Sequence, residues 1–205
     1  MTLVESIDSL QAWFDEHVCQ QATFKVPTDN NITGEAQLIH PASFALYVPA
    51  RDRIPPNVVA PIPSICIQLM EGEDKLMERN TRLNIRLCLA VWNPGDQTGV
   101  DFTPVPDPSN PVGVKYKQGS DNPSYTRNLD GWRDIMNFVD LVRLELRKHD
   151  IIAGHRIVKE EPIKFGQFFQ DDALWDSYPY WHSWITFSVE YGGMIALSKE
   201  CESLL

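Results

Sequence analysis

The feature that most constrains this chain is a two-residue repeat: Leu83, Ile85, Leu87, Leu89 and Val91 alternate with Arg82, Asn84, Arg86, Cys88 and Ala90. Successive side chains of a strand point to opposite faces, so the repeat predicts a strand with one covered face and another that is polar at one end. Sheets of this kind are usually antiparallel and carry their helices on one side. The expected fold class is therefore α+β in two layers, a mainly antiparallel sheet with helices packed on one face, in preference to a doubly wound sheet. A length of 205 residues favours one domain.

Two helices are expected. Thr2-Leu3-Val4-Glu5 has the form of a capping box, and Leu3, Ile7, Leu10, Phe14 and Val18 recur at steps of three and four behind it. Turn chemistry at Pro27 to Asn31 closes that region. Leu129 to Asp150 reads as the second helix, with Trp132, Ile135, Met136, Val139, Val142 and Leu146 on one arc. Leu141 and Leu144 fall outside that arc, so this helix has more apolar surface than one sheet can cover, which calls either for the first helix or for a neighbouring subunit. Arg147, Lys148 and His149 suit the negative end of its dipole, and Gly154 follows.

Between the helices, Ile32 to Ala50 is strand-like but broken by Pro41 and Pro49, which points to an edge strand or two short strands. Ile54 to Pro63 is an extended proline-rich crossing. Ser64 to Met70 then reads as a short strand and Glu71-Gly72-Glu73-Asp74 as an acidic turn. Asn93 to Asn128 is rich in Pro, Gly, Asp, Asn and Ser and reads as a long loop, with Lys115-Tyr116-Lys117 as a contact segment inside it. Ile157 to Phe169 supplies a strand or bent hairpin, Asp171 to Tyr180 an acidic aromatic loop, and Ile185, Phe187, Val189 and Tyr191 a closing strand. The tail after Gly192-Gly193 reads as a short helix.

Eighteen Lys and Arg against twenty-eight Asp and Glu give a net charge of −10, which disfavours a general phosphate-binding surface. No apolar run approaches the roughly 18 to 20 residues that span a bilayer, and Met1 to Ser9 lacks the pattern of a signal peptide, so a soluble chain made in the cytoplasm is expected. Cys19, Cys66, Cys88 and Cys201 are far apart, with no C-x-x-C pair, and read as reduced thiols.

No nucleophile elbow, Walker loop or dinucleotide-binding turn is present in the sequence, and the five histidines are dispersed, so no catalytic residue, cofactor or metal is assigned. His17 and His149 read as capping or solvated groups near helix ends. The acids at Glu71/Glu73/Asp74, Glu160/Glu161 and Asp171/Asp172 read as solvated surface rather than as paired catalytic carboxylates. In Ser177-Tyr178-Pro179-Tyr180-Trp181-His182 a proline stiffens a loop of three large rings, a composition that favours a protein contact over base stacking, since its neighbours Asp171, Asp172 and Asp176 are acidic.

The order of these pieces resembles the tail terminators of tailed phages and phage-derived contractile particles. It combines an amphipathic N-terminal helix, a strand running into Glu71-Gly72-Glu73-Asp74 and the alternating strand ending Val91-Trp92-Asn93. A variable loop, the helix opening Gly131-Trp132-Arg133-Asp134 and the Tyr178-Pro179-Tyr180-Trp181 loop before the last strand complete it. The resemblance covers Leu3 to Asn93 and Leu129 to Tyr191. It departs in the long 94–128 insertion and in the extension after residue 192.

The resemblance implies a structural virion protein, not an enzyme. Such a subunit forms a homohexameric ring on the head-proximal end of the tail tube, stops growth of the tube and, in a contractile particle, of the sheath, and meets a neck protein. DNA passes through without specific binding, and an acidic bore would repel it within a screening length of about 8 to 10 Å. No membrane is involved. The contact residues expected are Glu71, Glu73 and Asp74 in one loop, Lys115 and Tyr116 in an arm, Leu141 and Leu144 on the second helix, and Tyr178, Tyr180 and Trp181 in another loop. Two other readings stand beside it: a neck or head-completion protein one layer higher, and a carboxylate-dependent hydrolase.

Overall fold

The computed structural model describes residues 1–27, 37–94, 131–171 and 173–192, together with the backbone of 96–98, 100–107, 110–118 and 124–126. The predicted turn at 28–31, the strand-like residues 32–36, the start of the second helix at 129–130, Cys201 and the predicted terminal helix lie outside the described residues.

Helix α1 (Leu3–His17) opens on the predicted capping box. The Glu5 N–H donates to Thr2 Oγ1 at 3.2 Å and the Thr2 N–H donates to Glu5 Oε2 at 2.7 Å. After it come strands β1 (Phe24–Lys25), β2 (Leu38–Ile39), β3 (Ala42–Ala45), β4 (Ser64–Lys75) and β5 (Asn80–Trp92). The insertion holds β6 (Asp96–Thr98), β7 (Val100–Asp107), β8 (Asn110–Gln118) and β9 (Ser124–Thr126). Helix α2 (Trp132–Lys148) leads to β10 (Ile151–Ile152), β11 (His155–Ile157), β12 (Lys164–Gly166), β13 (Phe169–Gln170), β14 (Ala173–Leu174) and β15 (Tyr180–Gly192).

The main sheet runs β10-β11-β15-β5-β4-β3, with β12 also on β15. Every pairing is antiparallel except β3 with β4. The alternating strand is central. Leu83, Ile85, Leu87 and Leu89 are fully buried, as are Ile65 and Ile67 of β4 and Ile185 and Val189 of β15. These inward residues form one core with Ile7, Leu10 and Phe14 of α1 and Ile135, Phe138, Val142 and Leu146 of α2. Both helices therefore cover the same face, and the α+β two-layer expectation holds.

Polar contacts fix each helix on the sheet. Ser43 of β3 donates its N–H to Asp15 Oδ1 at 2.8 Å and its hydroxyl to Gln11 O at 3.0 Å, while Gln11 Nε2 donates back to Ser43 O at 2.9 Å. The helices meet near their C-terminal ends, where the Trp13 ring stacks on His17 at 4.9 Å and meets His149 edge-on at 5.5 Å. His17 also sets Nδ1 3.2 Å from Trp13 O in the last turn of α1, as a capping group does, and both histidines are half-buried against the Trp13 ring rather than fully solvated. Leu141 packs against the core, whereas Leu144 is exposed.

Four expectations are corrected. Glu71, Gly72, Glu73 and Asp74 are not a turn: they continue β4, opposite Asn84, Leu83, Arg82 and Thr81 of β5. A bulge between Leu69 and Glu71 restores the register, and pairing with a strongly patterned partner overrides the low strand propensity of acids and glycine. The turn lies further on, at Leu76 to Arg79, where Arg79 has φ 50°.

The 94–128 insertion is likewise not a loop throughout, since β7 pairs with β8 and β6 with β9. Its prolines misled the reading. Pro104 and Pro106 stand two apart in a two-stranded ribbon, where each strand has an outer edge and an absent N–H facing outward costs no ladder bond. Third, Trp132 is exposed although it belongs to the predicted core arc of α2, while Phe138 is fully buried against Phe24. Short pairs at 169–170 and 173–174 also replace part of the predicted aromatic loop.

Cys19, Cys66 and Cys88 are free thiols. Burial raises all three, Cys66 to about 11, so they remain protonated and inert near neutrality.

Two buried groups set a pH dependence. His155 is fully buried, with Nδ1 2.9 Å from Ala153 O and its ring edge-on to Tyr191. Burial lowers its affinity for a proton, as it does for His182. Glu145 is also buried; desolvation opposes its charge, but hydrogen bonds from Lys148 and Gln21 outweigh that and hold its carboxyl below the ordinary range. The unfolded histidines take up protons from about pH 6.5 downward, before the folded ones do. Stability is therefore expected in full above that point and to fall below it, with a second decline below about 4.5 as Glu145 and the other carboxylates held low by their partners, Glu161 and Glu190 among them, take up protons. Urea midpoints across this range check it. His155→Phe should flatten the upper step, and an unchanged step would assign it elsewhere.

Candidate functional site

Where β5 ends and β15 begins, Asn93 ties three segments together. Its N–H donates to Pro179 O at 3.0 Å, its carbonyl accepts from Trp181 Nε1 at 3.0 Å, its Nδ2 donates to Asp134 Oδ2 at 2.7 Å, and its Oδ1 accepts from Lys25 Nζ at 3.1 Å. The Tyr178 hydroxyl donates to Pro94 O at 2.6 Å. Asp176 Oδ1 accepts the Tyr178 N–H at 3.0 Å, and Ser177 and Tyr180 exchange two further bonds. Tyr178–Pro179 is cis. Gly131, at the start of α2, completes the packing: a Cβ there would fall on Trp181 Nε1 and 2.8 Å from Asn93 O. Only glycine fits beneath the indole.

These bonds hold open a cavity of about 620 Å³ between the first turns of α2 and the 167–182 segment. Trp132, Met136, Leu174, Trp175, Tyr178 and Trp181 form most of its apolar wall, with Asp176, Ser177 and His182 as polar members. Trp175 stacks on His182 at 5.0 Å and Tyr178 meets Trp181 edge-on at 6.5 Å. Ser177 donates to Tyr180 O, and no group of three metal-ligating side chains occurs among the described residues. The cavity offers ring surface and one carboxylate.

The predicted contact residues lie in four places. Tyr178, Tyr180 and Trp181 come together here, half-buried, and the polar tips of Tyr178 and Trp181 are bonded inside the protein. They shape the cavity more than they project from it. Glu71, Glu73 and Asp74 lie toward the other end of the sheet: Glu73 is opposite Arg82, ten positions along β5 from Trp92, or roughly 33 Å at strand spacing. Leu141 and Leu144 are on α2, and Lys115 and Tyr116 are in β8 opposite Val105 and Pro104.

Sequence reasoning missed Asn93, Gly131, Trp132 and Trp175 as members of one site, and it missed Leu76 and Met77. These last two sit in the turn joining β4 to β5 and are 85% and 98% exposed. Two adjacent apolar residues between Lys75 and Glu78-Arg79 were the available signal. Tyr178→Phe is expected to leave Pro94 O without its donor and to lower stability by about 1 kcal/mol, read from urea unfolding.

No protein-family model, curated protein or solved structure matches this chain. No helix among the described residues is long and apolar enough to cross a membrane.

Proposed function

We propose that this chain is a ring-forming subunit that caps the head-proximal end of a phage-type tail tube, ends tube growth and presents a surface to the neck. The observation that carries the reading is the exposed apolar turn that joins β4 to β5. Beyond the last residue of β3, strands β4 and β5 continue to a turn that exposes Leu76 and Met77. Two adjacent apolar side chains exposed at a turn are costly to leave in water and suit burial in an assembly. Two helices on one face of a mainly antiparallel sheet are compatible with the coarse fold class that the resemblance implies.

Its mechanism is steric and associative. One face of the ring docks on the last tube ring, and the opposite face cannot act as a further tube ring. Glu71, Glu73 and Asp74 beside the exposed tip, the 94–128 arm and Leu144 are the contacts assigned to neighbours, and the charge of −10 suits a bore through which DNA passes without sticking. Deleting the gene from a particle-producing strain tests this. Overlong or uncapped tubes are expected, restored to normal length by complementation; finished tails that fail to join heads would instead place the protein in the neck and contradict the proposal.

A further inference from the structure

From Gln68 to Lys75 the outer edge of β4 has no neighbour among the described strands, because β3 pairs with β4 only from Ser64 to Ile67. An open edge displays backbone N–H and C=O groups that another strand can take up. Glu71, Gly72 and Glu73 stand on it, all exposed. Glu71 and Glu73 are opposite Asn84 and Arg82 of β5 and so share the face turned away from the helices. Arg82 pairs with Glu161, which leaves the two edge glutamates without that partner.

Strand β8 carries the complement. It pairs with β7 alone among the described strands, which leaves its other edge without a described partner as well, and it contains Lys115-Tyr116-Lys117. With Tyr116 placed opposite Gly72, an acid-glycine-acid triplet meets a lysine-tyrosine-lysine triplet. Both lysine positions then face glutamate positions in either strand direction, and opposite charges across a strand pair are favourable. The aromatic residue falls opposite an edge glycine, a pairing that covers bare backbone. A Cβ at Gly72 would come no closer than 3.5 Å to its surroundings, so there is room beside it. A slip of one residue would set lysine against glycine and tyrosine against glutamate, which pins the register.

We propose that copies of this chain join head to tail, β8 of one copy adding to the open edge of β4 in the next with Tyr116 opposite Gly72. Within one copy β4 pairs with β3 and β5, and β8 with β7. Each copy gives one strand and one edge. Such a heterologous contact closes into a ring or runs on as a filament. The inference deepens the ring reading above and rests on it for closure alone.

Charge reversal tests it. Sedimentation velocity over a concentration series compares the wild type, a Glu71→Lys/Glu73→Lys variant, a Lys115→Glu/Lys117→Glu variant and an equimolar mixture of the two variants. The wild type should associate, and each variant alone should associate roughly ten-fold or more weakly. The mixture should recover, because alternating copies join a reversed edge to a reversed strand and a native edge to a native strand.

Association of either variant at wild-type strength, a mixture that stays apart, or a wild type that remains monomeric throughout would overturn the pairing. A fifth sample, one chain carrying all four changes, separates the two geometries: recovery there with none in the mixture would place the pairing inside one copy and overturn the proposal. Should a reversal abolish cooperative unfolding, Glu71→Gln/Glu73→Gln replaces it, with weaker association again expected. Open filaments that depend on these residues would keep the pairing and contradict the ring. Rings that persist in both variants would keep the ring and overturn the pairing.

Discussion

Phe138→Ala is expected to lower the unfolding free energy by about 3 to 5 kcal/mol, the usual cost of emptying a fully buried aromatic site. Phe138 is completely enclosed and lies 4.9 Å, ring centre to ring centre, from Phe24. It thus joins α2 to the segment that follows α1. Its loss removes packing on both sides at once, and the backbone of a helix docked on a sheet can collapse into the gap only partly. For a chain of this length the melting temperature should fall by roughly 6 to 20 °C. Phe138→Leu, which keeps most of the volume, should recover much of the loss. A fall under about 1 kcal/mol for the alanine variant would mean that this part of the core is not packed as described.

The second large effect is expected at Gly131. Its backbone has φ −57° and ψ −22°, which any residue adopts, so the requirement for glycine is one of space and not of conformation. A methyl group would displace the Trp181 indole, break its bond to Asn93 O and disturb the network that also holds Asp134 and Pro179. Overpacking and a lost buried hydrogen bond together should cost about 3 kcal/mol or more, with a change in the near-ultraviolet dichroism of the aromatic cluster. Gly192→Ala is the control. Among the described residues nothing lies within 4 Å of the position its Cβ would take, and its effect should stay within about 0.5 kcal/mol. Equal effects at the two glycines would contradict the packing of the aromatic corner.

Much of the architecture was legible because it rests on periods. The alternation of Leu83 to Val91 and the stripes of Ile7, Leu10 and Phe14 and of Ile135, Val142 and Leu146 each report a local geometry, and all of these residues are buried in one core. The Thr2 and Glu5 pair was legible for the same reason, since a capping box is complete within four residues.

What failed depended on which segment lies alongside, which local composition does not report. Glu71 to Asp74 have the composition of a turn and become strand only because β5 lies beside them. Pro104 and Pro106 have the composition of a loop and are tolerated because a ribbon has outer edges. The cavity was out of reach for a related reason: Trp132 opens α2, Leu174 ends β14 and Trp181 stands at the start of β15, and no spacing rule joins them. The aromatic loop was found by composition, but composition does not reveal that the Tyr178 and Trp181 tips are satisfied by Pro94 and Asn93.

The central claim is that this chain acts by assembly at the end of a tube. The most direct measurement adds purified protein to growing tail tubes and follows their length and ends by negative-stain electron microscopy. Growth should stop at a length set by the time of addition, with a ring of extra density at one end of each tube. Tubes that lengthen as fast as in its absence, with bare ends, would contradict the account.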